Sequence, residues 1–300
     1  MLGEAWLSAA LAGIAQGGGF DARRSGCVIG TSAGSIVAAS LVAGIDPAER
    51  LDLSASAGVV YGAVAGSEPA RSGALADALA VATGLGGAAA APLASLALSS
   101  TAPGGALLRR AMLRRVPPGT QSMAQLAEII DAAEPEFDGR LLIAAVELRS
   151  GRRVMFGSPG APSATVAQAV LASCAIPGVF SPVRIGAREY VDGGAWSPTN
   201  ADAASVRRGD RVLCLNPTGS LRPSRGALVG AVGPLSRGAT ASEALALRHR
   251  GAHVRTINPD EASAREMGLD LMSRSRRDAV IAAGHAQGLR LAGSQAARAA

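Results

Sequence analysis

Two short stretches of this chain carry the residue types of acyl-transfer chemistry. Gly30-Thr31-Ser32-Ala33-Gly34 fits Gly-x-Ser-x-Gly, with the apolar run Cys27-Val28-Ile29 ahead of it and a helical pattern behind it. A nucleophilic serine needs that context, because a tight strand-to-helix turn holds its hydroxyl exposed and flanking glycines make room for the turn. A helix starting at Ser32 also turns unpaired backbone donors and its positive end toward a developing alkoxide. The plainer alternative is a glycine-flanked serine that only caps a helix. The five-residue pattern alone recurs by chance in a chain with 38 glycines.

A serine hydroxyl attacks efficiently only when a neighbouring base takes its proton. Asp192 is suited to be that base. It follows Tyr190-Val191 at the end of a strand pattern and precedes Gly193 and Gly194, which keep bulk away and let the backbone turn. Strand ends along one edge of an α/β sheet are where sites form. An Asp-Gly turn without chemistry is the competing reading. The three histidines are less well placed. His249 stands between Arg248 and Arg250, His253 opens a strand pattern, and His285 lies on the last helical pattern. His285 is still where a late triad histidine would fall, so a Ser/His/Asp esterase of the α/β-hydrolase type stays open.

The elements that must position these residues alternate between strand and helix. Helical spacing runs over Glu4 to Ala15 and stops at Gly17-Gly18-Gly19. Cys27 to Ile29 reads as a buried strand, Ser35 to Ala43 as a helix closed by Gly44, and Asp46-Pro47 as the cap and first position of the next helix. Leu141 to Glu147 and Arg153 to Phe156 read as strands joined by the turn Arg149-Ser150-Gly151. Thr165 to Ser173 and Arg276 to Leu291 read as helices, and Glu189 to Val191, Val212 to Leu215 and His253 to Ile257 as strands. The stretch from Ser54 to Thr120 is rich in Ala, Gly, Ser and Pro and reads as helix and loop. The alternation predicts a three-layer α/β/α sandwich around a mainly parallel central sheet, in one domain over residues 1–300.

Composition narrows the classes. All 29 basic residues are arginine, and the net charge is +6 with 48% hydrophobic and 17% charged residues. That balance fits a packed globular protein. Aromatics are only 3%, so elements must pack closely through small residues. No arginine run is interleaved with aromatics, which argues against nucleic acid. Arg109, Arg110, Arg114 and Arg115 flank Met112 and Leu113, either as a basic lip touching a membrane surface or, on charge patterning, as a solvated helix face. Cys27, Cys174 and Cys214 stand singly at wide spacing, which fits buried thiols in a reducing compartment rather than a zinc or disulfide framework. The uncharged stretch from Ala78 to Leu108 is too diluted by Gly, Ser, Thr and Pro to read as a membrane span, and no leader pattern opens the chain. A cytoplasmic protein, peripheral to membrane if it meets one, is the expectation.

Taken together, the blocks resemble the patatin-like phospholipases. Gly30-Thr31-Ser32-Ala33-Gly34, then Ala172-Ser173-Cys174-Ala175-Ile176-Pro177, then Asp192-Gly193-Gly194 stand in that family's order over residues 3–202, with a looser match around Asn258-Pro259-Asp260. The resemblance implies a Ser32/Asp192 dyad without histidine, acting on lipid acyl esters and needing no metal or organic cofactor, with the Ser173–Pro177 block as a wall beside the site. It also implies a first strand and a Gly-Gly-Gly-x-x-Gly oxyanion loop ahead of the first helix. Met1-Leu2-Gly3-Glu4 reads as the end of that loop, with Gly3 its last glycine, and Gly17-Gly18-Gly19 is no substitute because it follows the helix. Oxyanion donors are therefore expected near Gly3 and at Ala33. The expectation for the chain as written is either a later start than in the family or a catalytically impaired, lipid-binding relative.

Overall fold

The computed structural model describes residues 1–18, 20–51, 105–117, 119, 123–221 and 227–299. Most of the stretch from Ser54 to Thr120, including 78–104, lies outside the described residues.

Helix α1 (Leu2–Gln16) is buried over nearly its whole circumference and begins two residues before the apolar spacing does. It crosses the last helix at glycines, as a chain poor in aromatics requires. A Cβ on Gly13 would lie 2.3 Å from the His285 carbonyl oxygen, and one on Gly288 would lie 2.3 Å from that of Ala10. The backbones can touch only because these positions lack side chains. Trp6 fills the remaining space, its Nε1 donating to Gln287 Oε1 at 2.9 Å. The helix closes where Gly17 N–H reaches back to Gly13 O at 3.0 Å.

Strand β1 (Val28–Thr31) leads through Ser32 into α2 (Ala33–Val42). Helices α3 (Gly105–Leu113) and α4 (Ala124–Asp131) follow, then β2 (Leu141–Glu147), β3 (Arg153–Phe156) and α5 (Val166–Cys174). Next come β4 (Val183–Ile185), β5 (Arg188–Asp192), β6 (Arg211–Leu215), α6 (Ala227–His249), β7 (His253–Ile257), α7 (Glu261–Met267) and α8 (Arg277–Ala299). Strand β4 has no counterpart in the sequence pattern. The last helix runs further than Leu291, and β5 extends through Asp192, which is thus the final strand residue rather than the one after it.

Register explains how the two chemical stretches meet. β1 runs parallel to β2, ending with Thr31 opposite Ala144. β5 runs antiparallel to β2, ending with Asp192 opposite Ala145. β3 occupies the other edge of β2, so β1 and β5 must share one edge and meet there end to end. Both carboxyl ends point at the same junction. β4 pairs antiparallel with β5, and β6 pairs in parallel with β7 in a second, two-stranded sheet.

Helices cover both faces of these strands, giving an α/β sandwich. Leu213 and Leu215 of β6, with Val28 of β1, pack toward α1 and α8, whereas Val212 and Cys214, with Cys27 and Ile29, pack toward Leu247 of α6. On β2, Leu141, Ile143 and Ala145 join the cluster of α4 and α5, and Val146 meets Leu113 of α3. The alternation follows from successive side chains pointing to opposite faces. All three cysteines are free thiols, Cys174 and Cys214 buried and Cys27 half-buried.

Helix α3 corrects one expectation. Arg109 is neither on a lip nor on a solvated face: it is 1% exposed. Its Nε donates to the Ala195 carbonyl at 2.8 Å, its Nη1 donates to that of Gly151 at 3.1 Å, and its guanidinium lies 4.2 Å from the Trp196 ring centre. A planar cation with this many donors can be buried when carbonyls and an aromatic face receive it. Arg114 and Arg115 do face solvent, and Arg110 is half-buried.

Candidate active site

Ser32 sits at the β1–α2 turn with φ 51° and ψ −126°. A non-glycine residue there is strained by about 1–3 kcal/mol and persists only where its surroundings hold it. Three contacts do so. Its N–H donates to Ser173 Oγ at 2.9 Å, and its carbonyl accepts from Ser35 N at 2.8 Å and Ser35 Oγ at 2.7 Å. Ser173, expected only as part of a wall, thus fixes the Ser32 amide directly.

The two motif glycines are not equivalent. A Cβ on Gly30 would lie 2.4 Å from Ser35 Cα, so the helix can fold back over the strand only if position 30 is bare. A Cβ on Gly34 would meet nothing closer than Leu7 Cδ1 at 3.9 Å. Space is therefore the reason for the first glycine and not for the second.

Ser32 Oγ donates to Asp192 Oδ2 at 2.8 Å across 160 residues of sequence. Asp192 Oδ1 accepts from Gly194 N at 2.6 Å, and the Asp192 amide donates to Ala175 O at 2.9 Å. A Cβ on Gly193 would lie 2.3 Å from Ala144 O, so the turn after Asp192 lies flat on β2 only with glycine at that point. Burial pushes the Asp192 carboxyl up to about 7, against the opposing hydrogen bonds from Gly194 and Ser32. A carboxylate taken out of water is destabilised relative to its neutral form, which leaves this one ready to exchange a proton near neutrality.

A buried polar strap ties the two strand ends together, and no sequence pattern announces it. Asn200, in a left-handed conformation at φ 51°, donates through Nδ2 to Ser197 O at 2.7 Å, Thr31 Oγ1 at 3.0 Å and Gly193 O at 3.3 Å. Glu243 of α6 accepts from Thr199 Oγ1 and from the Ala201 amide at 2.9 Å, and its burial raises its carboxyl above the usual range. The available signal was an asparagine eight residues after Asp192, a residue type that tolerates left-handed backbone.

A cavity of about 1090 Å³ opens beside Ser32 and Asp192. Gly3, Ala33, Leu7 and Leu213 are among its lining residues, so both expected oxyanion positions face the same space as the hydroxyl. It runs between β1 and β6, which no described ladder joins. The histidines are elsewhere. His285 Nε2 pairs with Gln16 Oε1 at 2.7 Å, and none of His249, His253 and His285 lines the cavity.

A mixed sheet covered by helices, with Ser32 and Asp192 brought together at the carboxyl ends of β1 and β5, defines an α/β protein. Residues 9–205 match the family described as Patatin-like phospholipase, and the chain belongs to that family. No curated protein matches it at a significant level. Membership supports lipid acyl hydrolysis as the activity and lipid or other esters as substrates.

Proposed function

We propose that this protein hydrolyses lipid acyl esters through a Ser32/Asp192 dyad and a covalent acyl-enzyme. The observation that carries the reading is the 2.8 Å hydrogen bond from the hydroxyl of a strained, strand-end serine to a buried carboxylate. Asp192 takes the Ser32 proton as Oγ bonds to the acyl carbon, then gives that proton to the departing alcohol oxygen. Water next attacks the acyl-enzyme, Asp192 accepts its proton, and Ser32 regains a proton as the carboxylic acid leaves. The Ala33 amide, at the first position of α2, and the Gly3 amide are the donors we assign to the oxyanion. Donors of that kind are worth roughly 3–4 kcal/mol each in the transition state.

The test is turnover of a short-chain nitrophenyl ester, with fluorophosphonate labelling of the serine. Ser32→Ala and Asp192→Ala should each remove turnover, and labelling should vanish in the first. Activity that survives either change rejects the dyad. The unladdered gap between β1 and β6 favours a second reading, in which the same cavity holds lipid without turning it over. Liposome binding with an unlabelled Ser32 in the unaltered protein would select that reading.

A further inference from the structure

Helix α3 buries an arginine and exposes three large apolar side chains. Its buried positions are Arg109 and Leu113, while Leu107 is 76% exposed, Leu108 45% and Met112 39%. At 100° per residue, positions 107, 108, 111 and 112 share the outward arc, and Arg114 and Arg115 continue it just past the last turn. An exposed apolar cluster of this kind is the informative departure from ordinary burial, since isolated surface leucines need no explanation.

Its surroundings are cationic. Arg114 and Arg115 are exposed and Arg110 is half-buried. The β2–β3 turn lies against the same helix, where a Cβ on Gly151 would sit 2.4 Å from Ala106 O, and it adds the exposed Arg149 and Arg152. The nearest carboxylate on that turn, Glu147, accepts from Ser150 Oγ at 2.6 Å. Apolar side chains flanked by arginines at the end of the helix and on the adjoining turn match an anionic bilayer surface: acyl boundary for the leucines, phosphate layer for the guanidinium groups. A protein partner would require a broader and less charged apolar core.

We propose that α3 is a docking helix that seats the protein on an anionic lipid surface, with Leu107, Leu108 and Met112 inserted and Arg114, Arg115, Arg149 and Arg152 at the headgroups. This deepens the lipid-hydrolase reading, on which it rests for its biological sense, by naming the state in which substrate is met. Buried Arg109 links the helix to catalysis. It donates to the Ala195 carbonyl and stacks on Trp196, three and four residues beyond Asp192, so direct contacts join the docking helix to the loop that follows Asp192.

The test is co-sedimentation with phosphatidylcholine vesicles, with and without about 30% phosphatidylglycerol, using the Ser32→Ala protein so that hydrolysis plays no part. Binding is expected on the anionic vesicles and to weaken with salt. The Arg114→Gln/Arg115→Gln pair should lose roughly fivefold per arginine. The Leu107→Gln/Leu108→Gln/Met112→Gln triple should lose on the order of tenfold per well-inserted side chain. All variants should keep the parental thermal melt, because the changed side chains face solvent. In the Ser32 background, both sets should keep turnover of a soluble nitrophenyl ester. Absence of anionic vesicle binding, or binding undiminished in both sets with melts unchanged, overturns the docking helix. Soluble-ester turnover that survives Ser32→Ala rejects only the dyad, so the two readings fail separately.

Discussion

The two edges of β1 differ in kind. One is laddered to β2, and that ladder carries Ser32 up to the end of β5 and into hydrogen-bond contact with Asp192. The other faces β6 across the cavity, with no described ladder between them. Backbone hydrogen bonds thus fix the Ser32 hydroxyl and the Asp192 carboxyl on one side, while the other edge carries no such constraint among the described residues. A site that must hold two side chains to within tenths of an ångström belongs on the laddered edge.

Asp192→Asn breaks the laddered side hardest, because it removes the proposed base while leaving the shape. Turnover should fall by three orders of magnitude or more, and the unaltered enzyme's kcat/KM should rise with pH through about 7 as Asp192 loses its proton. Stability should move the other way. The folded carboxyl holds its proton more firmly than the unfolded one, so the unaltered protein loses stability as pH rises from the unfolded carboxyl range to about 7. Asp192 should contribute roughly 2–3 kcal/mol to the difference between pH 5 and pH 8 in urea melts of the unaltered protein, and that part of the slope should be lost in Asp192→Asn, leaving the same-signed contribution of the buried Glu243. A slope unchanged in the variant would mean Asp192 is not the titrating group.

Gly30→Ala comes next. Its Cβ would strike Ser35 Cα at 2.4 Å, so the strand and helix must part. A loss of about 3 kcal/mol or more, with Ser32 labelling abolished, is expected from denaturant melts and fluorophosphonate reactivity. Ser173→Ala should be milder. It leaves the Ser32 amide without its partner, at about 1–3 kcal/mol, and should lower kcat more than KM because the strained turn loses one of its restraints.

These residues also show what the sequence discloses. The apolar runs of β2 and β6, the alternating pattern of β7 and the order of the three blocks were enough to read the sandwich, because strand pattern and glycine placement are local. Their meeting was not local: it depends on β1 and β5 sharing one edge of β2, which only register reveals. Ser173 and Asn200 went unread as partners for the same reason, since their bonds reach 141 and 169 residues along the chain. Helix α3 misled because its arginine spacing suggests a solvent face. The burial of Arg109 is decided by two carbonyls and a tryptophan from distant segments.

The smallest expected effect sharpens the comparison most. Gly34 sits on the α2 side of Ser32, within the same motif as Gly30, yet a Cβ there reaches only Leu7 Cδ1, at 3.9 Å, and its φ is not positive. Gly34→Ala should therefore keep the fold, and replacing glycine within a helix can add about 0.5–1 kcal/mol. Its methyl would face the cavity side, where Gly34 is a lining residue, so any cost should appear in KM for long acyl chains before it appears in kcat for short ones. If Gly34→Ala instead unfolds the protein as Gly30→Ala does, the turn is held by more than the close approach of strand and helix. If it changes kcat equally for all chain lengths, the cavity beside β1 is not where the acyl chain lies.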